Sequence, residues 1–144
     1  MSDPATPQAL TGGCLCGTVR YRLASSPTDA GWCHCRTCQL NSGSPAMAFA
    51  TVPTVDFVIE SGADAIGHTP SSNTGERWFC RSCGTPLLMR DKAGAATCDF
   101  SLATLDQPEA ITPGFHIFTA SRIAWAMPGD DLPRYPRSRS EGGA

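Results

Sequence analysis

Eight cysteines in a chain of 144 residues constrain the fold of this protein more than any other sequence feature. They fall into three short clusters and a single residue, namely Cys14 and Cys16; Cys33, Cys35 and Cys38; Cys80 and Cys83; and Cys98. Residues i and i+2 of a strand face the same way, but their Cα atoms lie about 6.6–6.8 Å apart, at the outer limit for a disulfide. Two thiolates on one face can instead reach one metal ion at about 2.3 Å. The spacing therefore favours metal binding over a disulfide framework, which would also need an oxidising compartment.

Zinc is the predicted metal, because thiolate-rich sites select zinc, iron–sulfur clusters or copper(I), and structural zinc prefers four ligands from two short cysteine pairs. One such closed set, the cysteine quartet, consists of Cys14, Cys16, Cys80 and Cys83. The remaining cluster, the cysteine triplet, consists of Cys33, Cys35 and Cys38. Three protein ligands with an open position are typical of catalytic zinc. Counting alone does not force this division, and Cys98 is either a fourth ligand of the triplet or, as its apolar neighbours favour, a buried inert thiol.

Charge and composition argue against several classes of protein. The formal net charge is −2 and the isoelectric point is about 5.8, without the basic patch of a general nucleic-acid binder. No apolar run approaches the roughly 20 residues of a membrane span, so no membrane partner is expected. The N-terminal sequence lacks the basic and apolar regions of a signal peptide, which predicts a cytoplasmic protein. The length fits one domain, predicted over residues 11–136 between flexible tails at 1–10 and 137–144.

Short runs of alternating apolar and polar residues predict a mostly β fold. The predicted strands are Thr18–Leu23, Ala46–Thr51, Thr54–Glu60, Glu76–Cys80, Thr97–Ala103, Phe115–Thr119 and Arg122–Met127. The best helix candidate is Arg36–Ser42, with Gly43 as its C-terminal cap. A helix that starts beside Cys35 would aim its backbone amides at the thiolates and stabilise their negative charge.

Three cysteine motifs in a characteristic order give the chain a family resemblance. They read GGCLCGTV, CHCRTC and ERWFCRSCG, and the later stretches TLDQP, HIFTASRIAW and LPRYP also fit. Over about Gly12–Pro136 the chain resembles the glutathione-dependent formaldehyde-activating enzymes, whose relatives include centromere protein V. The resemblance implies a complex antiparallel β fold of short strands organised around zinc, shared with a Rab-associated exchange factor.

The resemblance also implies an activity and a set of site residues. The quartet matches the structural zinc ligands of the family and the triplet matches the catalytic zinc ligands, so two zinc ions per chain are expected. The implied reaction joins glutathione and formaldehyde to S-hydroxymethylglutathione, which is a carbon–sulfur lyase reaction run in reverse. In this hypothesis the catalytic residues are those of the triplet, and the glutathione thiolate takes the open position. Arg36 is the candidate for supplying positive charge there or for binding a glutathione carboxylate.

Two other classes of function remain open from the sequence. One is a non-catalytic, zinc-stabilised binding or structural module, and the other is a redox switch that uses the same thiols. The fourth position of the triplet discriminates between enzyme and module. An exogenous thiol or water there supports the enzyme, whereas Cys98 or a histidine there supports the module.

The histidines and tryptophans carry weaker expectations. His34 lies between two ligands, and an extended backbone would turn it away from them toward a structural hydrogen bond. His116 fits either a strand histidine with a satisfied hydrogen bond or a site residue, and His68 is expected at the surface in the polar loop Gly67–Gly75. Core positions are expected for Trp32, Trp78 and Trp125.

Overall fold

The computed structural model describes residues 9–92, 94–126 and 129–141, and it confirms a mostly β fold. The strands are β1 (Thr11–Gly13), β2 (Arg20–Leu23), β3 (Thr28–Cys33), β4 (Met47–Pro53), β5 (Phe57–Ser61), β6 (Ile66–Pro70), β7 (Gly75–Cys80), β8 (Pro86–Asp91), β9 (Thr97–Ser101) and β10 (His116–Ile117). The helix α1 spans Arg36–Ser42, as predicted. Gly43 ends it in the left-handed conformation (φ 69°) and donates its N–H to the Gln39 carbonyl.

The strands form two sheets. The smaller sheet has the order β1-β2-β5, and the larger has the order β10-β3-β4-β9-β8-β7-β6. All pairs are antiparallel except that of β10 with β3. In the part of the chain that the structure describes, no helix is long and apolar enough to cross a bilayer. The flexibility predicted for the two tails stays a prediction, since residues 1–8 and 142–144 lie outside the described ranges.

The main core lies between the two sheets and follows from strand alternation. On β4, Ala50 and Val52 are fully buried, while the alternating residues Phe49 and Thr51 lie on the opposite face. The buried residues of this core are Tyr21, Leu23, Ala50, Val52, Phe57, Leu88, Cys98, Phe100, Leu102 and Leu105. One face of the large sheet is thereby covered, and its other face is left to form the site.

That other face carries two rows of residues that are paired across strands and therefore point the same way. The first row runs over β10, β3 and β4 through Ile117, Cys33 and Met47. The second row runs over β7, β8, β9 and β4 through Arg77, Met89, Asp99 and Thr51. Residues far apart in sequence thus share one sheet face with a cysteine of the triplet.

Several predicted strands differ from the structure, and the strand predicted over Phe115–Thr119 is limited to His116–Ile117, because a 3-10 turn starts at Thr119. The strand predicted over Thr54–Glu60 begins only at Phe57, because Thr54–Asp56 forms a 3-10 turn after Pro53. The strand predicted over Thr97–Ala103 ends at Ser101, where another 3-10 turn starts. The prediction of a strand at Arg122–Met127 is wrong over 122–126, which forms turns, and Met127 lies outside the described residues.

The aromatic predictions were partly wrong. Trp125 is 77% exposed, because its segment pairs with no strand and so has no face to bury. Trp78 is half-buried against the core, and Trp32 is half-buried beside His116, with ring centroids 6.4 Å apart. His68 is exposed as expected, but it lies on β6 rather than in a loop and stacks on Trp78 at 4.5 Å.

Gly12 allows the small sheet to pack closely against the turn after β9. It lies opposite Tyr21, whose hydroxyl is 2.7 Å from Thr104 Oγ1. A Cβ atom at Gly12 would lie 2.5 Å from the Thr104 carbonyl oxygen, which is closer than such atoms can approach. Nearby, Asp106 accepts hydrogen bonds from Thr11 and Arg20 and so fixes the same turn to the same strands. The glycine and the aspartate of the sequence motifs are therefore explained by packing.

Replacing Gly12 with alanine is expected to lower the free energy of unfolding by about 1–3 kcal/mol, because the added methyl group overpacks this contact. The measurement is the urea unfolding midpoint of the metal-loaded protein. Gly114→Ala is the matched control, since its Cβ would meet only the Ala30 carbonyl oxygen at 3.9 Å. Equal midpoints for the two variants would contradict the close approach at Gly12.

Candidate metal centres and cavity

The cysteine quartet joins the two sheets. Cys14 directly follows β1, and Cys80 is the last residue of β7. The turns that follow these positions carry the other two thiols, so that all four sulfur atoms lie within 4.8 Å of one another. Cys14 Sγ and Cys16 Sγ are 3.6 Å apart, and Cys16 Sγ and Cys80 Sγ are 3.9 Å apart.

These separations fit a tetrahedral zinc ion. Zn–S bonds of about 2.3 Å with tetrahedral angles place neighbouring sulfur atoms about 3.8 Å apart. Neighbouring groups also support thiolate charge. The backbone N–H of Val19 donates to Cys14 Sγ at 3.2 Å, and hydrogen bonding with Thr85 lowers the pKa of Cys83 to about 5. The quartet could therefore hold one metal ion as a closed, four-sulfur site.

The cysteine triplet is assembled at the junction of β3 and α1. Cys33 ends β3, Cys35 is the N-cap of α1, and Cys38 lies in its first turn. The Cys38 N–H donates to Cys35 Sγ at 3.3 Å, so the predicted aiming of a helix amide at a thiolate is confirmed. Hydrogen bonds from the Cys33 and Cys38 thiols, together with that amide and the charge of Arg77, hold the pKa of Cys35 far below its usual range.

Within the described residues, no fourth side chain of the metal-ligating types joins the three sulfur atoms, which lie within 4.8 Å of one another. Cys98 is on β9 among the residues of the core, and burial raises its pKa to about 12. The interpretation of Cys98 as a buried thiol is therefore the one that fits. The triplet could hold a metal ion with one ligand position open.

A cavity of about 460 Å³ opens beside the triplet, on the uncovered face of the large sheet. Its lining combines all three triplet cysteines with apolar side chains and a polar rim. The apolar residues are Met47, Phe49, Met89, Ile117 and Phe118, together with Leu88 and Phe100, whose side chains strand alternation directs into the core. The polar residues are Thr37, Asn41, Ser71, Ser72, Thr74, Arg77, Arg90, Asp91 and Asp99.

Arg77 is a site residue that the sequence analysis missed. It is 6% exposed, and its Nη1 and Nη2 atoms donate to Cys38 Sγ at 3.5 and 3.4 Å. Its Nε is buried and has no hydrogen-bond partner in the described part of the chain. The sequence feature that could have identified Arg77 is its position three residues before Cys80 in the ERWFCRSCG motif. An arginine on a short strand is ordinarily a surface residue, so only the sheet register identifies it.

The structure does not bring Arg36 to the cavity. Its side chain projects from the exposed side of α1, where Nη1 donates to Gln39 Oε1 at 3.2 Å. The cavity lining does not include it. Its predicted contact with glutathione stays a prediction that this geometry does not support.

His34 and His116 form a buried, hydrogen-bonded pair beside the triplet. His34 Nε2 and His116 Nδ1 are 2.8 Å apart, and His116 Nε2 lies 3.0 Å from Asp130 Oδ2. Because the Asp130 carboxylate accepts, a neutral His116 carries its proton on Nε2 and accepts from His34 through Nδ1. Burial lowers the pKa of His34. The expected structural hydrogen bond of His34 is therefore present, with His116 as its partner.

Comparisons with known proteins bear on the same residues. The family model described as glutathione-dependent formaldehyde-activating enzyme matches residues 9–121. An uncharacterized lyase of Schizosaccharomyces pombe is 36% identical over 78 residues, which are 53% of this chain and 53% of that protein. A Halomonas elongata protein, provisionally named a glutathione-dependent formaldehyde-activating enzyme, is 31% identical over 91 residues, 57% of this chain and 56% of that protein. The match thus spans about half the length of each curated relative.

A solved structure extends the comparison to the fold. A Rhodobacter sphaeroides protein superposes with a TM-score of 0.56 at 24% identity, covering 72% of this chain and 91% of that chain. At this identity the likeness concerns the fold alone. The family model covers most of the chain, including all seven cysteines of the quartet and the triplet. The chain therefore belongs to the glutathione-dependent formaldehyde-activating enzyme family.

Proposed function

We propose that this protein is a zinc-dependent enzyme of the carbon–sulfur lyase type that joins a small thiol to an aldehyde, with glutathione and formaldehyde as the substrates. The observation that carries the proposal is a triplet of sulfur atoms that opens onto a 460 Å³ cavity and has no fourth metal-ligating side chain among the described residues. A purely structural module would need no such opening, because structural zinc sites are closed by four protein ligands.

The triplet and its neighbours fit the demands of this reaction. Zinc bound there supplies a coordination position that a soft substrate thiolate can occupy. The chain's own residues set the charge: three thiolates around a divalent ion sum to −1, and the Arg77 guanidinium on Cys38 Sγ offsets that charge. The bonds from Arg77 also hold Cys38 in one orientation, as outer-shell partners of metal ligands do.

The covalent step forms one bond between the substrate sulfur and the aldehyde carbon. The carbonyl π pair moves to oxygen, and the proton of the thiol ends on that oxygen, giving a hydroxymethyl thioether without any oxidant or reductant. A donor near the developing alkoxide would lower the barrier. We assign this role to the positive charge of Arg77, whose guanidinium lines the cavity beside Cys38. It replaces Arg36, which lies outside the cavity lining.

The cysteine chemistry also supports a reducing compartment, and we propose the cytoplasm. All eight cysteines are free thiols in the structure. The two cysteine clusters can bind metal ions only where their thiols are not oxidised to disulfides.

The metal content is expected to distinguish ligands from the core cysteine. The wild-type protein should contain two zinc ions per chain, whereas Cys80→Ser should lose the quartet zinc and unfold at a lower temperature, because that ion closes the two sheets together. Cys98→Ala is the matched control and should keep both ions. Zinc is measured by elemental analysis and Tm by circular dichroism. A Cys98→Ala protein with one zinc would overturn the assignment of the triplet as open.

Removal of one triplet sulfur is expected to abolish activity while the fold persists. Cys35→Ser should retain the quartet zinc, lose the triplet zinc and show no acceleration of the condensation above the uncatalysed rate. The measurement is exchange spectroscopy of glutathione with formaldehyde, compared with a protein-free control, since the condensation proceeds unaided. A Cys35→Ser protein with full activity and both metals would refute the site assignment.

Loss of the Arg77 guanidinium is expected to lower kcat by about 10²–10³, the usual effect of removing one alkoxide donor. Arg77→Met removes the charge and the hydrogen bonds, and Arg77→Lys should restore part of the rate. Zinc content is measured in parallel, so that loss of metal is separated from loss of catalysis. Arg22→Met is the control, because Arg22 is exposed on the small sheet and pairs with Glu60. An unchanged kcat in zinc-replete Arg77→Met would exclude the role.

A further inference from the structure

Asp99 presents a carboxylate to the cavity from the centre of the large sheet. It lies on β9, paired with Thr51 on one side and Met89 on the other, and it lines the cavity. Thr51 Oγ1 donates to Asp99 Oδ1 at 2.7 Å, which fixes the orientation of the carboxyl group. Because Arg77 pairs with Met89, the carboxylate and the guanidinium share one row of the same sheet face.

The Asp99 carboxylate has a hydrogen-bond partner in Thr51 but no ion-pair partner among the described residues. Among the described residues, no arginine, lysine or histidine nitrogen is recorded within ion-pair distance of Asp99. The two guanidinium nitrogens of Arg77 that bind sulfur are both directed to Cys38. By contrast, basic side chains pair with Asp29, Glu60, Glu76, Asp106 and Asp130.

Burial makes the missing partner significant. Asp99 is half-buried, and this burial raises its pKa because the charged form is poorly solvated there. A buried carboxylate is destabilised unless hydrogen bonds and an opposite charge compensate it. Thr51 provides one hydrogen bond, and the charge of Arg77 acts on Asp99 only from beyond ion-pair distance, because the guanidinium is directed to Cys38. A ligand that carries a cation would therefore gain from binding at this point of the cavity.

We propose that Asp99 binds an ammonium group on the thiol substrate, so that the cavity selects thiols that carry a free amine at a distance from the sulfur. The inference rests on the proposed function, because it takes the sulfur of the same ligand to be bound at the triplet. It adds a second recognition point: the reacting, negatively charged end lies at Arg77 and Cys38, and the positively charged end lies at Asp99. Glutathione has such an amine, and a thiol with a capped amine does not.

The test compares glutathione with a form whose amine is capped and therefore uncharged. Calorimetric titration of the zinc-loaded full chain with glutathione and with N-acetylated glutathione should show about tenfold weaker binding of the acetylated form. Asp99→Asn should weaken the binding of glutathione by a similar factor and make the two ligands bind equally. Glu60→Gln, an exposed position on the small sheet, is the control and should keep the wild-type ratio.

The possible outcomes separate this inference from the proposed function. If both ligands bind the wild-type protein with equal affinity, Asp99 does not recognise an amine, and the proposed function survives. If neither ligand binds, the proposed function fails and this inference fails with it. The comparison of ligands on the wild-type protein does not depend on any variant, and Thr51→Val offers a second variant should Asp99→Asn not fold. Because Thr51 orients the Asp99 carboxylate, Thr51→Val should reduce the ratio of the affinities for the two ligands. An unchanged ratio would count against the role of this pair.

Discussion

The convergence of two cysteine pairs from different sheets is the constraint on which the rest of this structure depends. Cys14 follows a strand of the small sheet and Cys80 ends a strand of the large one, so four thiolates meet where only a cation can offset their repulsion. A metal ion bound at this point would fix the end of β7. Arg77 lies three residues earlier on that strand, and its guanidinium reaches Cys38 of the triplet. A metal ion in the quartet would therefore help to position a residue beside the triplet.

The local features of this site could be predicted from the sequence because they depend on short-range geometry. The division of seven cysteines into the quartet and the triplet agrees with the distances between their sulfur atoms. The helix Arg36–Ser42 and its cap at Gly43 are found at the predicted residues, since both follow from sequence-local hydrogen bonding. Cys98 is placed in the core, as the apolar alternation around it indicates.

The rest depends on strand register, which the sequence does not contain. Arg77 and Asp99 are charged residues on short strands, and the ordinary expectation for such residues is solvent. Their common face is set by pairing with Met89 on an intervening strand, β8, for which no strand was predicted. The sequence favours Arg36 as the cationic site residue because it directly follows a triplet cysteine, although the helix directs its side chain outward. The prediction of a core position for Trp125 is wrong for a related reason. An aromatic residue without a paired strand has nothing to pack against, and Trp125 is exposed.

In the proposed function, the two charges on the cavity face would allow a fold built around sulfur ligands to select its substrate. The triplet recognises only sulfur, so it cannot by itself distinguish one thiol from another. Arg77 and Asp99 are two strands apart, which places their Cα atoms roughly 9–10 Å from each other at about 4.8 Å per strand. Because the hydrogen bonds of the sheet fix that spacing, a ligand must match it with its reacting end and its amine. The sheet would then select the length and charge of the thiol, and the triplet would bind its sulfur.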